Sequence, residues 1–233
     1  MRKTKNKYRL LSYDLTADTF AYGGQQPFKI KKSKSISNRD SCNTFILDLP
    51  NHMGTHIDCP NHFYNSGKML QDYNIKDFIF LRPVVLECLK SAGELVSEYD
   101  VKRNYERLKH ADLLLLKTGF CRYRGSYRYS IKNPGIAPEA AEFIRRYLGN
   151  IKCVGIDTIS VSPYQKRELG RETHRIFFKD NFENEPVRLI EDMDLSGRLY
   201  NLKEVYVFPL FVKGIDSSPC VVLGILGKRQ NGT

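Results

Sequence analysis

The sequence has no tryptophan, and it lacks the long apolar runs that a membrane-spanning helix needs. Such a helix takes about 18 or more consecutive apolar residues, and no segment approaches that length. The first residues are basic and contain no apolar stretch of the kind found in secretory signal peptides. Cys-x-x-Cys spacing is also absent, which favours reduced thiols over a disulfide framework. We therefore expect a cytoplasmic protein with no membrane partner.

Acidic residues are in the minority. The chain has 37 Lys and Arg against 26 Asp and Glu, a net charge of +11, and the basic residues concentrate at positions 2–7, 29–34 and 122–128. Basic patches can bind nucleic-acid phosphates, but no RRM, KH, zinc-finger or helix-turn-helix pattern accompanies them. A solvated basic surface is the better explanation, and a nucleic acid is not expected as a partner. Residues 122–128 could instead steer an anionic substrate.

Length and composition agree with one folded domain. The chain has 233 residues, of which 41% are hydrophobic and 12% aromatic, enough to form a sizeable core. We treat residues 1–233 as a single domain in which residues 1–8 form a flexible basic N-terminus.

Strands and helices alternate along the chain. Apolar runs predict strands at residues 43–49, 83–89, 113–117, 152–157, 205–212 and 220–226. Helices are predicted at residues 100–108 and 137–148, the second with Pro138 just inside its start and Gly149 just past its end. This alternation indicates an α/β fold.

Histidine is scarce but clustered. Three of the five histidines lie in the run His-Met-Gly-Thr-His-Ile-Asp-Cys-Pro-Asn-His-Phe, which begins at His52 and ends at Phe63. Neutral imidazoles beside a carboxylate are the usual ligands of a transition-metal ion. The cluster therefore predicts a metal site and a metal-dependent hydrolase.

The spacing within the cluster predicts a bent segment. Its histidines and aspartate share one parity and follow the alternating strand at residues 43–49. Ten extended residues would span roughly 33 Å, whereas metal ligands must come within about 2.0 to 2.2 Å of the ion. Gly54 and Pro60 disfavour a helix here and permit a curved loop.

The run from His52 to Phe63 resembles the signature His-x-Gly-Thr-His-x-Asp-x-Pro-x-His-Phe of the cyclase-like metal-dependent hydrolases. This family includes bacterial kynurenine formamidase and isatin hydrolase. Residues 13–16, 22–28, 113–119, 134–141 and 154–161 are similar to further family blocks in the same order. The resemblance implies a swivelling β/β/α-type domain with a barrel-like central sheet, assembled as a homodimer.

The resemblance also implies roles for the residues of the cluster. His52, His56 and Asp58 would bind one metal ion, with Asp58 also reaching a second ion. His62 would be the catalytic proton donor and acceptor. Zinc is the expected metal, as one or two ions, although Mn²⁺ also suits such ligands.

The distal ligands of the family, a histidine and a glutamate, would be His174 and Glu191. The gap between these two residues is several residues longer than the family pattern, so Glu183 and Glu185 remain alternatives. The apolar run before Glu191 favours it, whereas the other two glutamates lie in a polar turn.

These groups suit hydrolysis of a C–N bond other than a peptide bond. A metal ion lowers the pKa of bound water towards about 7 and polarises a carbonyl, and His62 can pass the proton to the leaving atom. The predicted substrate is a small amide, lactam or related carbonyl compound, with N-formylkynurenine or a similar arylformamide first. The alternatives are isatin or another cyclic amide or lactone, and a non-catalytic binder whose basic face contacts nucleic acid or an acidic partner.

Aromatic residues are the candidate substrate contacts. Family formamidases carry an aromatic residue, commonly tryptophan, followed by Pro-Gly-Asp, whereas here Tyr22 is followed by Gly-Gly-Gln. The aromatic wall remains but the carboxylate does not, which weakens the assignment to N-formylkynurenine. Phe20, Phe28 and Phe63 are candidates to complete an apolar pocket, with ordinary core packing as the alternative.

Overall fold

The computed structural model describes residues 7–24 and 28–227. Most of the predicted flexible segment, residues 1–8, lies outside these ranges, as do residues 25–27 of the family-like segment 22–28. Lys7 accepts a backbone hydrogen bond from Leu226, and Tyr8 begins a strand. Tyr8 is thus paired with the sheet, and the flexibility of residues 1–8 stays a prediction. No helix in the described ranges is long and apolar enough to span a bilayer.

The strands of the described chain are β1 (Tyr8–Leu10), β2 (Lys29–Lys34), β3 (Thr44–Asp48), β4 (His56–Asp58), β5 (Ile79–Phe80), β6 (Pro83–Glu87), β7 (Leu95–Val96), β8 (Leu113–Lys117), β9 (Gly135–Ile136), β10 (Cys153–Ile156), β11 (Arg188–Glu191), β12 (Leu202–Pro209) and β13 (Ser217–Leu226). The helices are α1 (Glu98–Lys102), α2 (Tyr105–Leu108), α3 (Tyr127–Ile131), α4 (Pro138–Tyr147) and α5 (Arg167–Phe178).

Nine strands form one sheet that curls into a nearly closed barrel. Its order is β5-β12-β13-β4-β11-β10-β8-β6, with β1 paired to β13. The edge strand β6 lies against β12, which brings the two ends of the sheet together. Strands β6, β8, β10 and β11 are parallel, whereas β4 is antiparallel to both of its neighbours, β11 and β13. The α/β class and the barrel-like central sheet predicted from the sequence are confirmed.

The central strands carry apolar side chains on both faces. Along β8, Leu114 and Leu116 pack with residues of α4 and α5, whereas Leu113 and Leu115 fill the interior of the barrel. A parallel strand buried on both faces has a continuous apolar sequence. This explains why residues 113–117 predict a strand so clearly.

The predicted elements are present, with some corrections. All six predicted strands exist, with ends that differ by a few residues, and the helix at 137–148 is α4. The helix at 100–108 is divided into α1 and α2 because Asn104 leaves the helical conformation, and its side chain donates to the carbonyl of Asp100 at 2.9 Å. Strand β4 and helix α5, which position the site, were not predicted.

The strand predicted at residues 43–49 exists as β3. In the described chain, however, its alternating apolar side chains are not buried. Strand β3 pairs with β2 in a two-stranded sheet. Phe45, Ile46 and Leu47 are 54%, 56% and 58% exposed. The hairpin therefore presents apolar side chains on both faces.

Helix α5 lies close to the loop that follows β10. A β-carbon on Gly170 would overlap Ser162, lying 2.6 Å from its Cα. Glycine therefore allows this approach, which brings His174 of the next turn into the interior at 4% exposure.

We expect Gly170→Ala to destabilise the protein by about 1–3 kcal/mol, because overpacking forces the backbone to shift. At an unobstructed helix position, Gly→Ala instead raises the free energy of unfolding by roughly 0.5–1 kcal/mol. The sign of the change in unfolding free energy therefore shows whether the close contact imposes a constraint. Urea unfolding followed by circular dichroism measures it, with Glu172→Ala at an exposed position of α5 as the control. Equal or greater stability of Gly170→Ala would show that the close contact imposes no constraint.

Candidate metal centre

Strand β4 places two residues of the histidine cluster side by side. Its three residues are all buried. His56 lies opposite Glu191 of β11, and Asp58 lies opposite Ser217 of β13. Because alternate residues of a strand share a face, His56 and Asp58 point to one side, while Ile57 packs in the barrel interior.

The remainder of the cluster bends, as the spacing predicts. Gly54 has a φ of +63°, a conformation that favours glycine, just before β4 begins. Pro60 starts a single 3-10 turn that ends at His62. These bends place Nδ1 of His52 3.0 Å from Oδ1 of Asp58. They also bring the rings of His52 and His62 to a centroid distance of 4.1 Å.

His174 and Glu191 approach the same cluster from α5 and β11. Nε2 of His174 lies 3.4 Å from Oε1 of Glu191, and Nε2 of His56 lies 3.6 Å from Oε2. The alternatives Glu183 and Glu185 are exposed in the turn that precedes β11. The geometry therefore favours Glu191 as the distal carboxylate.

Buried atoms at the centre of the cluster fit a cation. Nε2 of His56 and both carboxylate oxygens of Asp58 are buried and form no hydrogen bond of acceptable geometry within the described ranges. Such atoms are costly to bury unless another partner satisfies them. Donor atoms of His52, His56 and Asp58 lie within 4.8 Å of one another, and so do those of Asp58, His62 and His174. Imidazoles with a carboxylate suit Zn²⁺ and other divalent transition-metal ions.

Backbone carbonyls orient two of the histidines. Nδ1 of His56 lies 2.8 Å from the carbonyl oxygen of Gly54, and Nδ1 of His174 lies 2.8 Å from that of Gly170. When Nδ1 donates to a carbonyl, Nε2 is left unprotonated and able to bind a metal. These contacts therefore leave Nε2 of each neutral ring available to a metal ion.

The end of β11 is fixed by its own hydrogen bonds. Glu191 accepts from the hydroxyl of Ser160 at 2.9 Å and from the backbone N–H of Val161 at 2.7 Å. Asp192 has a φ of +52°, and its carboxylate accepts from Arg124 at 2.9 Å and from Tyr129 at 2.7 Å. Arg124, within the segment 122–128 considered for substrate steering, is thus bound to a buried carboxylate.

Asp216 is a residue of the site that no motif in the sequence indicates. Its Oδ2 lies 2.7 Å from Nδ1 of His62 and 3.3 Å from Nε2 of His52, and Asn51 donates to its Oδ1 at 2.8 Å. Burial alone would raise the pKa of Asp216, but hydrogen bonds and charges of the two histidines lower it well below its usual range. The only sequence signal is an acidic residue in the connection between the strands predicted at 205–212 and 220–226.

A cavity of about 470 Å³ opens beside the cluster. Tyr22 and Phe63 line it, and Phe63 stacks on the ring of His174 with a centroid distance of 4.8 Å. Phe20 instead lines a second cavity, together with Arg124. Phe20 lies between two turns, at residues 16–19 and 21–24, and Tyr22 is within the second. The structure therefore brings Tyr22 and Phe63 to the site but not Phe20.

A nearly closed α/β barrel with a buried cluster of imidazoles and carboxylates defines the class to which this chain belongs. Residues 10–163 match the family described as putative cyclase, and the chain is a member of that family. It is 29% identical over 212 residues to kynurenine formamidase of Bacillus mycoides, covering 90% of this chain and 92% of the relative. It is 30% identical over 221 residues to the uncharacterized protein MJ0783 of Methanocaldococcus jannaschii, covering 93% and 99%.

Solved structures show the same fold. Isatin hydrolase A from Labrenzia aggregata superposes with a TM-score of 0.78 at 18% identity, covering 95% of this chain and 94% of that protein. A predicted metal-dependent hydrolase from Bacillus stearothermophilus gives a TM-score of 0.71 at 19% identity, covering 94% and 97%. The family resemblance and the fold that it implied are confirmed.

We expect metal binding to release protons at pH 8. In the metal-free protein, burial lowers the pKa of His52, but Asp58 and Asp216 outweigh it and raise this pKa to about 10. Histidine binds a metal in its neutral form, so His52 must lose a proton as the ion enters. Calorimetry of Zn²⁺ binding in two buffers of different ionisation enthalpy should give about one proton per ion from this group.

Because His52 must lose its proton, metal binding becomes stronger as the pH rises. Because His52 is protonated below about pH 10, the apparent Kd should fall by up to about tenfold per pH unit between pH 7 and 10. His52→Ala should release fewer protons and bind the metal more weakly. A Kd for the unaltered protein that does not change with pH would contradict the expectation.

Proposed function

We propose that this protein is a metal-dependent hydrolase of a small amide, lactam or related carbonyl compound, with an arylformamide as the best single substrate class. The observation that carries the proposal is Asp58, a buried carboxylate whose oxygens lack hydrogen bonds within the described chain and which is surrounded by imidazoles. The relationship to kynurenine formamidase supports cleavage of an acyclic formamide. The likeness to isatin hydrolase supports a cyclic amide as the alternative.

In this proposal, His52, His56 and Asp58 hold one divalent ion, and Asp58 with His174 and Glu191 could hold a second. Zinc is the preferred ion, and Mn²⁺ suits the same donor types. When bound, the metal would supply an acidified water molecule and polarisation of the substrate carbonyl.

His62 moves the proton in this proposal. Its Nδ1 lies 2.7 Å from Oδ2 of Asp216, so in the neutral ring Nδ1 donates and Nε2 accepts. Nε2 would take the proton from the attacking water and return it to the leaving nitrogen as the C–N bond breaks. Asp216 would hold the ring in place and stabilise its protonated form.

We expect His62→Ala to keep its metal but to lose turnover by about 100- to 10,000-fold, the usual contribution of general acid–base catalysis. Acid release would be followed with formanilide, N-formylkynurenine, isatin, cyclic imides and lactones, and metal content would be measured on the same samples. His110→Ala is the control, because His110 is exposed and does not line the cavity.

Removing the metal with a chelator should abolish turnover in the unaltered protein, and Zn²⁺ should restore it. Full activity of His62→Ala would show that the proton role is wrong. Silence of the metal-loaded protein across the whole panel would reject the proposed substrate classes and favour the non-catalytic binder.

We also propose that the protein forms a homodimer in which a second copy covers the β2–β3 hairpin. An isolated two-stranded hairpin is marginally stable in water. This one exposes Ile30, Phe45, Ile46 and Leu47, and contiguous apolar surface is typical of protein interfaces. Residues 29–34 add lysines, which would surround the apolar patch with charge.

Light scattering should therefore give about twice the mass of one 27.0 kDa chain. Replacing Phe45 and Leu47 together by serine should shift the protein towards the monomer, because it removes apolar area from the interface. Ile75→Ser is the matched control, since Ile75 is 58% exposed but lies outside the hairpin. A monomeric unaltered protein, or a hairpin variant that remains dimeric, would contradict this interface.

A further inference from the structure

Helix α5 brings two arginines to the cavity beside the cluster. Arg167 and Arg171 are four residues apart and so lie on one side of the helix. Both line the cavity, together with Tyr22 and Tyr164. The same helix carries His174 three residues after Arg171. The arginines are therefore on the element that also supplies a proposed metal ligand.

Arg167 is held in place without being neutralised. Its guanidinium carbon lies 4.0 Å from the centroid of the Tyr164 ring, and stacking leaves the N–H edge free to donate. Arg171 pairs with Glu168, whereas Arg167 forms no ion pair with a carboxylate of residues 7–24 or 28–227. Arg167 also occupies the first turn of α5, where the helix dipole disfavours a cation. An anion beside Arg167 would relieve this repulsion.

The loop that carries Tyr164 is held by hydrogen bonds to a buried side chain. The backbone N–H of Tyr164 donates to Oδ1 of the buried Asn133 at 3.1 Å, and the amide nitrogen of Asn133 donates to two carbonyls of the same loop. The ring of Tyr164 meets Tyr22 edge to face at a centroid distance of 5.3 Å. Arg167, Tyr164 and Tyr22 thus form a continuous row of contacts along the cavity wall.

The hydroxyl of Tyr22 is a second group without a partner. It is buried and forms no hydrogen bond in the part of the chain that the structure describes. Burial raises the pKa of Tyr22 to about 12, so the hydroxyl remains a donor at neutral pH. A buried donor usually has an acceptor, and the cavity that Tyr22 lines is where a ligand could provide one.

We propose that the substrate is an acid whose carboxylate binds Arg167, with the Tyr22 hydroxyl donating to a substrate oxygen. This inference rests on the proposed function and deepens it, because it selects acidic amides over neutral ones such as formanilide or isatin. Guanidinium and carboxylate groups pair through two parallel hydrogen bonds. Since Arg167 is exposed to solvent, we expect a moderate effect, about tenfold in affinity.

The test compares two substrates that differ by one charge. The acid is 4-(2-formamidophenyl)-4-oxobutanoate, and the neutral partner is its carboxamide. The metal-loaded unaltered protein should favour the acid in kcat/KM by about tenfold, and Arg167→Gln should reduce the ratio to about one. Arg175→Gln is the matched control, because Arg175 is exposed on the same helix but does not line the cavity. It should leave the ratio unchanged.

A binding measurement separates this inference from the proposed function. Calorimetry with 4-oxo-4-phenylbutanoate and its carboxamide, which have no formamide to hydrolyse, should show the same preference and the same loss in Arg167→Gln. Because that substitution leaves the metal cluster intact, it also distinguishes Arg167 from the metal as the group that binds the acid.

Each pattern of results has one meaning. Arg167-dependent binding of the acid without hydrolysis of any amide would remove the proposed function and support this inference. Hydrolysis of both formamides at equal kcat/KM would support the proposed function and overturn the inference. A preference for the acid that Arg167→Gln does not change would also overturn it.

Discussion

The pairing of strand β4 with two antiparallel neighbours determines the geometry of the site. Pairing with β11 sets His56 against Glu191, and pairing with β13 brings Asp58 opposite Ser217, next to Asp216. A shift of one residue in either ladder would exchange the two faces of the strand. Ile57 would then face the polar cluster, and the carboxylate of Asp58 would enter the barrel interior. The apolar packing of the barrel thus enforces the arrangement of the polar groups.

The same arrangement concentrates opposite charges in a small buried volume. Burial alone would raise the pKa of Asp58, but the charges of His56 and His52 lower it below its usual range. The carboxylate therefore stays ionised, and together with Asp216 it raises the pKa of His52 to about 10. Protonation and metal binding compete for the same nitrogen atoms. This competition connects the electrostatics of the metal-free protein to the chemistry that we propose for it.

A part of the site can be predicted from the sequence when its residues lie close together along the chain. The histidine cluster occupies eleven residues and carries its own bends at Gly54 and Pro60, so it can be interpreted without a fold. The contact of His62 with Asp216 joins residues 154 positions apart, and no local pattern indicates it. Helix α5 was missed because Gly170 and many charged residues interrupt its apolar pattern, and the glycine is needed for close packing. The alternating apolar residues of β3 identify it as a strand, but they do not indicate what its side chains pack against.

In the proposed function, helix α5 carries both the residue that binds the substrate and a metal ligand. Its first turn carries Arg167 and its third carries His174. At a rise of 1.5 Å per residue, these two positions are separated by about 10 Å along the helix axis. A substrate that reaches both Arg167 and the cluster beside His174 would need several bonds between its carboxylate and the reacting carbonyl. An acid group directly next to that carbonyl would not reach both positions. The close packing of Gly170 against Ser162 fixes the place of the helix, so it positions both Arg167 and His174 relative to the cavity that they line.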